Sequence, residues 1–231
     1  MEIISYVLSA IVAYLLGSVS LSVIVSKTIY RSDVRKHGSG NAGATNVARV
    51  FGVLGGVIVL LGDFLKAVVS LCLAKFVFTL ISPDVSPDLC VMLAGIFCVI
   101  GHAYPVFFKF KGGKGVTVGA AIALFADYRA VLAGLAVFVA VFAISRIVSL
   151  SSVSAAITIV AAGIILFVLV ETFSVYMLVL CAFTGLFVIF LHRSNIKRLI
   201  KGEEKKFSFA KKKKEKTENS DEKSEENGEN I

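Results

Sequence analysis

The stretch GSGNAGATN, residues 38–46, decides between a nucleotide-binding fold and a membrane-helix fold. Gly38, Gly40 and Gly43 have the G-x-G-x-x-G spacing of dinucleotide-binding loops, and the stretch also approaches the P-loop pattern. The first pattern requires a preceding strand in a βαβ unit, and the second requires a lysine where Ala44 stands. Long apolar runs flank the stretch instead, so both nucleotide folds are excluded. Closely spaced glycines still let backbone amides approach an anion, so the stretch predicts an anion site.

The composition of the chain indicates an integral membrane protein. The 231 residues are 57% hydrophobic, with a mean hydropathy of +0.86, whereas soluble domains are roughly 45–50% apolar. Several runs have the length of about 17–25 residues that a helix needs to cross a bilayer. They are solidly apolar rather than alternating, which argues against a β-barrel. The first run lacks a basic start and is too long for a signal peptide, so we expect a retained helix and an all-α membrane fold.

The apolar runs predict a bundle of seven transmembrane helices. The predicted spans are residues 3–26, 50–81, 89–104, 115–126, 130–144, 152–170 and 173–191. Basic and acidic connections alternate, which places the N-terminus outside and the C-terminus in the cytoplasm. A single helix over 115–144 would be about 45 Å long, against a hydrocarbon core of about 30 Å. It would also bury Asp127 and Arg129 in lipid. We therefore expect a break at residues 127–129 that separates two spans.

The chain divides by composition into a membrane domain, residues 1–202, and a charged segment, residues 203–231. Lys, Glu, Asn and Ser dominate the second segment, and such a composition cannot bury enough apolar surface to fold alone. We expect a disordered cytoplasmic tail whose lysines at 211–214 could contact anionic lipid. The four cysteines lie in or beside apolar spans without a C-x-x-C pair, which suggests neither a disulfide framework nor a metal site.

Four polar segments fall on the predicted cytoplasmic face: residues 38–49, 101–115, 149–152 and 192–199. The GGKG sequence at 112–115 repeats the first anion motif, with Lys114 as a point charge before a helix. Arg49 could bind phosphate bidentately. The predicted phosphate-binding residues are Gly38, Gly40, Asn41, Gly43, Thr45, Asn46, Arg49, Gly112, Gly113, Lys114 and Gly115. They predict two phosphate groups, or one phosphate held from both sides.

Histidine and serine side chains supply further candidates on the same face. His192 and Asn195 are three residues apart and share a helix face, so both can reach one ligand. The residues five positions after the three histidines are Ala42, Phe107 and Lys197, so no H-x-x-x-x-D pair is present. General-base work would therefore fall to His192 or to a substrate phosphate. Possible supporting residues are His102, Ser149, Ser151 and Ser152.

Asp63 and Lys66 lie inside the second predicted span. They are three residues apart, share a helix face and can form an ion pair. Charged residues within a span are functional by default. A structural pair facing the bundle interior is the other interpretation, and the sequence leaves both open.

The segments GSGNAGATNVAR, GHAYPVFFKFKGGKGV, SLSS and HRSNIKRLIKGEE together resemble the bacterial membrane acyl-phosphate:glycerol-3-phosphate acyltransferase family, PlsY. The first segment matches that family's G-S-G-N-x-G-A-T-N-x-x-R, and the second matches G-H-x-x-P-x-F-x-x-F-x-G-G-K-G-V. The resemblance covers about residues 3–205. After Val116 the chain has Thr-Val, where the family more often has Ala-Thr.

The resemblance implies a seven-helix enzyme of the bacterial cytoplasmic (inner) membrane, with its active site facing the cytoplasm. It implies transfer of a fatty acyl group from acyl phosphate to the 1-hydroxyl of glycerol 3-phosphate, giving lysophosphatidic acid and phosphate. Membrane lipids and an acyl-phosphate-forming enzyme are the implied partners, with no cofactor, metal or nucleic acid. The family's functional positions map onto Ser39, Arg49, Lys114, His192 and Asn195, of which Ser39, His192 and Asn195 are the expected catalytic residues.

Two alternative functions and one alternative mechanism for this reaction stay open from the sequence. A phosphate or organophosphate transporter would also use basic residues in a helix bundle, but it favours broken helices at mid-membrane and internal repeats. A membrane scaffold gives no reason for four polar segments on one face. A covalent acyl-Ser39 intermediate is the third, and no fixed base–carboxylate pair supports it.

Overall fold

The computed structural model describes residues 2–81 and 84–207, and within these ranges all regular structure is helical. The α-helices are α1 (Glu2–Gly17), α2 (Leu21–Thr28), α3 (Ala44–Phe51), α4 (Val53–Cys72), α5 (Pro87–Ala103), α6 (Val116–Ala126), α7 (Tyr128–Ser145), α8 (Val148–Leu169), α9 (Val175–Leu191) and α10 (Arg193–Ile200). Short 3₁₀ turns cover Val34–Lys36, Phe78–Ile81 and Val106–Phe108, and a π-helical turn covers Leu73–Val77. Most of the predicted tail, including residues 211–214, lies outside the described residues.

The all-helical membrane architecture is confirmed. Helical stretches long and apolar enough to cross a bilayer in the described part of the chain are Glu2–Thr28, Val53–Ile81, Pro87–Phe108, Tyr128–Ser145 and Val148–Leu169. Helix α9 together with α10 makes a sixth if the bent pair counts as one span. The predicted spans are mainly helical, although the first is broken at residues 18–20 and the second at Gly52, and α6 has only 11 residues. The count of seven crossings therefore stays a prediction.

The expected break between the fourth and fifth spans is present at Asp127. Helix α6 ends at Ala126 and α7 begins at Tyr128, with Asp127 extended at a φ of −168°. The Asp127 carboxylate accepts the Arg129 backbone N–H at 2.7 Å and pairs with the Arg129 guanidinium at 2.7 Å. The Asp127 side chain thus caps a backbone N–H at the start of α7, and the ion pair balances the charges of Asp127 and Arg129 at the break.

Several predicted boundaries differ from the observed helix ends by about one helical turn. A break at Gly52, whose φ is +101°, separates α3 from α4, so the second span begins at Val53 rather than residue 50. The serines at 149–152, expected in a connection, lie in the first turns of α8. The segment that begins at His192 forms α10, bent by 58° from α9.

Helices α1 and α5 approach closely because glycines face backbone at two matched positions. A Cβ at Gly17 would overlap the Cys98 carbonyl oxygen, and a Cβ at Gly101 would overlap the Tyr14 carbonyl oxygen. Small residues that let backbones approach are a common source of helix association in membranes. This packing fixes the C-terminal end of α5, from which the second polar segment starts.

Replacing Gly101 with Val is expected to lower the free energy of unfolding by about 1–3 kcal/mol, because the added carbons force α1 away from α5. The midpoint of thermal unfolding in detergent measures the change. Ala140→Val adds two of those three carbons at an exposed position of α7 and serves as the control. Equal midpoints for the two variants would contradict the packing role of Gly101.

Candidate active site

A cavity of about 450 Å³ opens where the four polar segments meet. The predicted site residues that line it are Gly38, Ser39, Asn41, Gly43, Thr45, Asn46, Arg49, His102, Lys114, Gly115, Ser149, Ser152, His192 and Asn195. Its remaining walls come from Ala44, Leu60, Asp63, Val116, Thr117, Phe138, Val148, Arg198, Glu204 and Lys205. The predicted residues Gly40, Gly112, Gly113 and Ser151 are not part of the lining. Segments far apart in the sequence thus form one site.

Asn46 braces the first loop rather than presenting its amide to a ligand. Its Nδ2 donates to the carbonyls of Val34, His37 and Asn41 at 3.0–3.2 Å, and its Oδ1 accepts the Ser39 backbone N–H at 2.9 Å. These contacts occupy the side-chain amide, and phosphate binding by Asn46 stays a prediction.

Gly38 makes this bracing possible. Its φ is +62°, and a Cβ there would overlap Oδ1 of Asn46. The glycine therefore serves both the left-handed backbone and the close approach of the asparagine.

Ser39, in the connection before α3, and Arg49, on α3, both line the cavity. Arg49 lies on α3, one turn after Thr45, and both line the cavity. Within the described residues neither the Arg49 guanidinium nor the Ser39 hydroxyl has a hydrogen-bond or ion-pair partner. An unpaired guanidinium in a cavity is a ready site for an anion, because it can donate two parallel hydrogen bonds.

The second loop, residues 104–115 between α5 and α6, is folded back on the end of α5. The N–H groups of Gly112 and Gly113 donate to the carbonyls of Ala103 and His102, each at 3.1 Å. These amides are therefore engaged within the protein, and phosphate binding by Gly112 and Gly113 stays a prediction. Their role is close packing, since a Cβ at Gly113 would overlap Nε2 of His102.

Arg35 connects the two loops outside the cavity. Its Nη1 donates to the Phe108 carbonyl at 2.8 Å, while Asp33 holds the guanidinium through contacts of 2.7 and 3.0 Å. The hydrogen bond from Arg35 lowers the pKa of Asp33 to about 2, so the pair stays charged. The first loop thereby fixes the position of the second.

Lys114 follows these packing glycines and enters the cavity. Its Nζ donates to Oδ1 of Asn195. Burial lowers the pKa of Lys114 to about 8; Glu204 opposes this shift, while Arg198 and Arg49 add to it. Helix α6 begins at Val116, so the unpartnered N–H groups of its first turn lie at the cavity wall beside Lys114. The second half of the anion site is therefore Lys114 with the start of α6.

His192 lies just beyond the last residue of α9 and is held by its Nδ1, which contacts the Val188 carbonyl at 2.8 Å. A carbonyl oxygen only accepts, so Nδ1 carries the proton and Nε2 is left as an acceptor. Burial lowers the pKa of His192 to about 4, although its hydrogen bond to Val188 opposes the shift. His192 is therefore a neutral imidazole with a free lone pair.

Glu204 organises the wall that contains Asn195, and sequence reasoning missed it. Its carboxylate accepts from Ser149 at 2.7 Å and from Asn195 and Arg198 at 2.6 Å. Burial opposes ionisation, but the hydrogen bonds from Asn195, Ser149 and Arg198 outweigh it and lower the pKa of Glu204. The residue lies in the predicted tail. The only sequence indication was its place in HRSNIKRLIKGEE, to which no role had been assigned.

The cavity has an apolar side as well as a charged side. Leu60 of α4, Val116 of α6, Phe138 of α7 and Val148 of α8 contribute apolar side chains to the wall. Cations outnumber carboxylates on the charged side, with Arg49, Lys114, Arg198 and Lys205 against Asp63 and Glu204. Such a cavity suits a ligand with a phosphate and an apolar chain. Among residues 2–81 and 84–207, no cluster of His, Cys, Asp and Glu is arranged to hold a metal ion.

The chain is similar to known acyltransferases over most of its length. The family model described as glycerol-3-phosphate acyltransferase matches residues 7–202. Glycerol-3-phosphate acyltransferase 2 of Bacillus anthracis is 39% identical over 201 residues, covering 87% of this chain and 98% of that protein. Glycerol-3-phosphate acyltransferase of Clostridioides difficile strain 630 is 41% identical over 210 residues, covering 89% and 97%.

Two crystal structures of PlsY (YgiH), an integral membrane glycerol 3-phosphate acyltransferase, share the fold. The glycerol 3-phosphate form gives a TM-score of 0.76 at 36% identity, over 88% of this chain and 96% of that one. The lysophosphatidic acid form gives 0.74 at 36% identity, over 89% and 96%. The chain therefore belongs to the glycerol-3-phosphate acyltransferase family and is an integral membrane acyltransferase.

Proposed function

We propose that the enzyme transfers a fatty acyl group from acyl phosphate to the 1-hydroxyl of glycerol 3-phosphate, releasing lysophosphatidic acid and inorganic phosphate. The observation that carries the proposal is the cavity in which the unpaired Arg49 and the half-buried Lys114 face an apolar wall. Both proposed substrates carry a phosphate, and one carries an acyl chain. The crystal structures of the similar PlsY, in glycerol 3-phosphate and lysophosphatidic acid forms, support the acceptor and the product.

Positioning and charge stabilisation supply most of the proposed catalysis, because acyl phosphate is an activated mixed anhydride. Arg49, Lys114 and the start of α6 hold the phosphates. Nε2 of His192 accepts the hydrogen bond of the attacking hydroxyl, while Ser39 and Asn195 orient the donor and its carbonyl. The hydroxyl oxygen bonds to the acyl carbon, and the bond from that carbon to the phosphate oxygen breaks.

The proton of the hydroxyl goes to the departing phosphate rather than to His192. A phosphate monoester has a second pKa of about 6, whereas the pKa of His192 is lowered to about 4 by burial. We therefore propose the departing phosphate as the proton acceptor. A covalent acyl-Ser39 is disfavoured because no described side chain accepts a hydrogen bond from the Ser39 hydroxyl, so no base is in place to activate it.

Seven crossings, with the N-terminus outside and the cavity at the cytoplasmic face, remain the proposed topology in the bacterial inner membrane. Glu204 and Lys205 line the cavity, so we extend the catalytic domain beyond residue 202 to include them. An enzyme that makes acyl phosphate is the proposed supplier of the donor. A transporter is disfavoured, because the polar side chains gather at one end of the bundle and not along a path through it.

Purified protein in detergent, supplied with acyl phosphate and glycerol 3-phosphate, tests the proposal. Lysophosphatidic acid and phosphate should appear in equal amounts, and neither acyl-CoA nor acyl carrier protein should replace the donor. Absence of product from folded protein would overturn the assignment. Incubation with donor alone should leave the protein unmodified; a trapped acyl-enzyme would show that Ser39 or another residue forms the covalent intermediate.

The pH dependence should report the charge of Lys114. Its ammonium is present below a pKa of about 8 and is lost as the pH rises through that value. We expect kcat/KM for glycerol 3-phosphate, which reports the free enzyme, to fall above pH 8. Lys114→Arg should move this fall to higher pH, because a guanidinium stays protonated. An unchanged alkaline limb in that variant would assign the titration to another group.

A further inference from the structure

Three charged or titratable residues form a buried cluster at the inner end of the cavity, and the proposed reaction does not use them. The predicted Asp63–Lys66 pair is confirmed, with Lys66 Nζ at 2.8 Å from Asp63 Oδ1. Lys66 Nζ also lies 3.1 Å from Nδ1 of His102 and donates to the Val19 carbonyl at 2.7 Å. All three side chains are nearly inaccessible, and Asp63 and His102 line the cavity.

The contact with Val19 explains why Lys66 keeps its position. Val19 lies in the break between α1 and α2, where its carbonyl has lost its helical partner. An unpaired carbonyl inside a membrane protein costs several kcal/mol, so a donor is required there. Lys66 supplies this donor while its charge is neutralised by Asp63. The Val19 carbonyl and the Asp63 carboxylate therefore hold the Lys66 ammonium in position beside His102.

This arrangement determines which nitrogen of His102 carries the proton. An ammonium group has only donors, so Nδ1 of His102 must accept from Lys66. A neutral imidazole then carries its proton on Nε2. Within the described residues Nε2 has no hydrogen-bond partner, and it faces the loop that carries Lys114, as the overlap with a Cβ at Gly113 shows.

We propose that His102 is a further phosphate-binding residue, which donates from Nε2–H to the phosphate held between Arg49 and Lys114. Lys66 and Asp63 are positioning residues that hold His102 in this tautomer. The inference rests on the proposed glycerol 3-phosphate site. It also answers the question that the sequence left open, because the ion pair serves the site through His102.

The two histidines of the cavity then have opposite roles. Nδ1 of His192 faces a carbonyl, so its Nε2 accepts. Nδ1 of His102 faces an ammonium, so its Nε2 donates. A site that must bind a phosphate oxygen and a hydroxyl proton needs both kinds of group. In each histidine, the partner of Nδ1 determines whether Nε2 donates or accepts.

Nitrogen NMR of protein labelled with ¹⁵N-histidine tests the tautomers directly. The chain has three histidines, so single substitutions assign every signal. His102 should show a protonated Nε2 and a bare Nδ1, and His192 the reverse in the same spectrum. Glycerol 3-phosphate, and inorganic phosphate at higher concentration, should shift the His102 Nε2–H signal. A protonated Nδ1 on His102, or no shift with either ligand in an active preparation, would overturn the inference.

Two substitutions separate the nitrogens functionally. The amide nitrogen of His102→Gln lies near the position of Nε2, whereas His102→Asn reaches only the position of Nδ1. We expect KM for glycerol 3-phosphate to rise by about 10- to 100-fold in His102→Asn, the effect of losing a hydrogen bond to a charged group. His102→Gln should stay within about threefold, with kcat less affected in both. Equal losses in two folded variants would contradict the role of Nε2–H.

Lys66→Met tests the positioning role. Asp63 Oδ1, 3.6 Å from Nδ1, would become the nearest partner of that nitrogen, so the His102 proton should move to Nδ1. An unchanged tautomer in folded Lys66→Met would remove Lys66 from the account. If that variant does not fold, the spectrum of the unaltered protein still decides the tautomer. A phosphate-induced shift in a protein that makes no product would refute the reaction and leave the His102 contact standing.

Discussion

Replacing Arg49 with Met is expected to lower kcat/KM for glycerol 3-phosphate by roughly 10²- to 10³-fold, with little change in stability. Removing a charged partner from a desolvated contact costs about 2–5 kcal/mol, and each 1.36 kcal/mol is about tenfold. Arg49 has no partner among the described residues, so its loss breaks no internal contact. Steady-state kinetics at fixed donor concentration, with thermal unfolding measured alongside, provide the test.

Two variants calibrate the Arg49 result. Arg49→Lys should recover part of the activity, because the charge remains but the two parallel hydrogen bonds do not. Lys36→Met removes an exposed cation just before the first polar segment and outside the cavity, and it should leave kcat/KM within about threefold of its normal value. Equal losses in Lys36→Met and Arg49→Met would mean that the net charge of the loop, not a phosphate contact, is what matters.

Two shortened proteins should differ sharply in activity although their ends are five residues apart. A chain ending at residue 207 keeps Glu204, whereas a chain ending at 202 loses it. Without Glu204, the side chains of Ser149, Asn195 and Arg198 lose their shared acceptor. We expect at least a 100-fold lower kcat/KM for the shorter chain, because hydrogen bonds to a charged group are worth about 1.5–3 kcal/mol each and Asn195 lies in the site.

Glu204→Gln in the full-length chain is the companion to this comparison. The amide keeps one acceptor oxygen but removes the charge that faces Arg198 and Lys114. Activity should fall between the values of the two shortened proteins. Full activity of the chain ending at 202 would restore the boundary at 202 and remove Glu204 from the site.

The membrane spans were predictable because lipid imposes a simple rule on the sequence. A helix must be apolar for about 20 residues, whatever its neighbours. The break at Asp127 followed from the same rule, because one helix would have been too long and would have carried two charges into lipid. The start of α8 at Val148 was missed because serines satisfy their hydroxyls on the preceding turn, as Ser151 and Ser152 do with Ile147 and Val148.

Contacts within the site were predictable only in part. The residue types at Ser39, Arg49 and Lys114 indicated an anion site, and the family resemblance added the catalytic roles of His192 and Asn195. The structure brings all five residues to one cavity. The direction of a backbone N–H depends on the carbonyl that is nearby in three dimensions. The amides of Gly112 and Gly113 meet the end of α5, which no local pattern reveals.

Long-range partners explain the remaining misses. Ser149 and Glu204 are 55 positions apart and join only after α8 and α10 pack. The composition of residues 203–231 predicts disorder for the segment as a whole. It does not indicate that Glu204, near the start of the segment, makes specific contacts. The tautomers of His102 and His192 likewise depend on Lys66 and Val188, which the folded chain alone selects.

A structure of the protein with glycerol 3-phosphate bound tests the central claim most directly. The phosphate should lie within hydrogen-bond distance, about 3 Å, of both Arg49 and Lys114. The 1-hydroxyl should point toward Nε2 of His192, and the apolar wall at Leu60 and Phe138 should stay open to an acyl chain. A phosphate bound outside this cavity, or one that touches neither cation, would contradict the account.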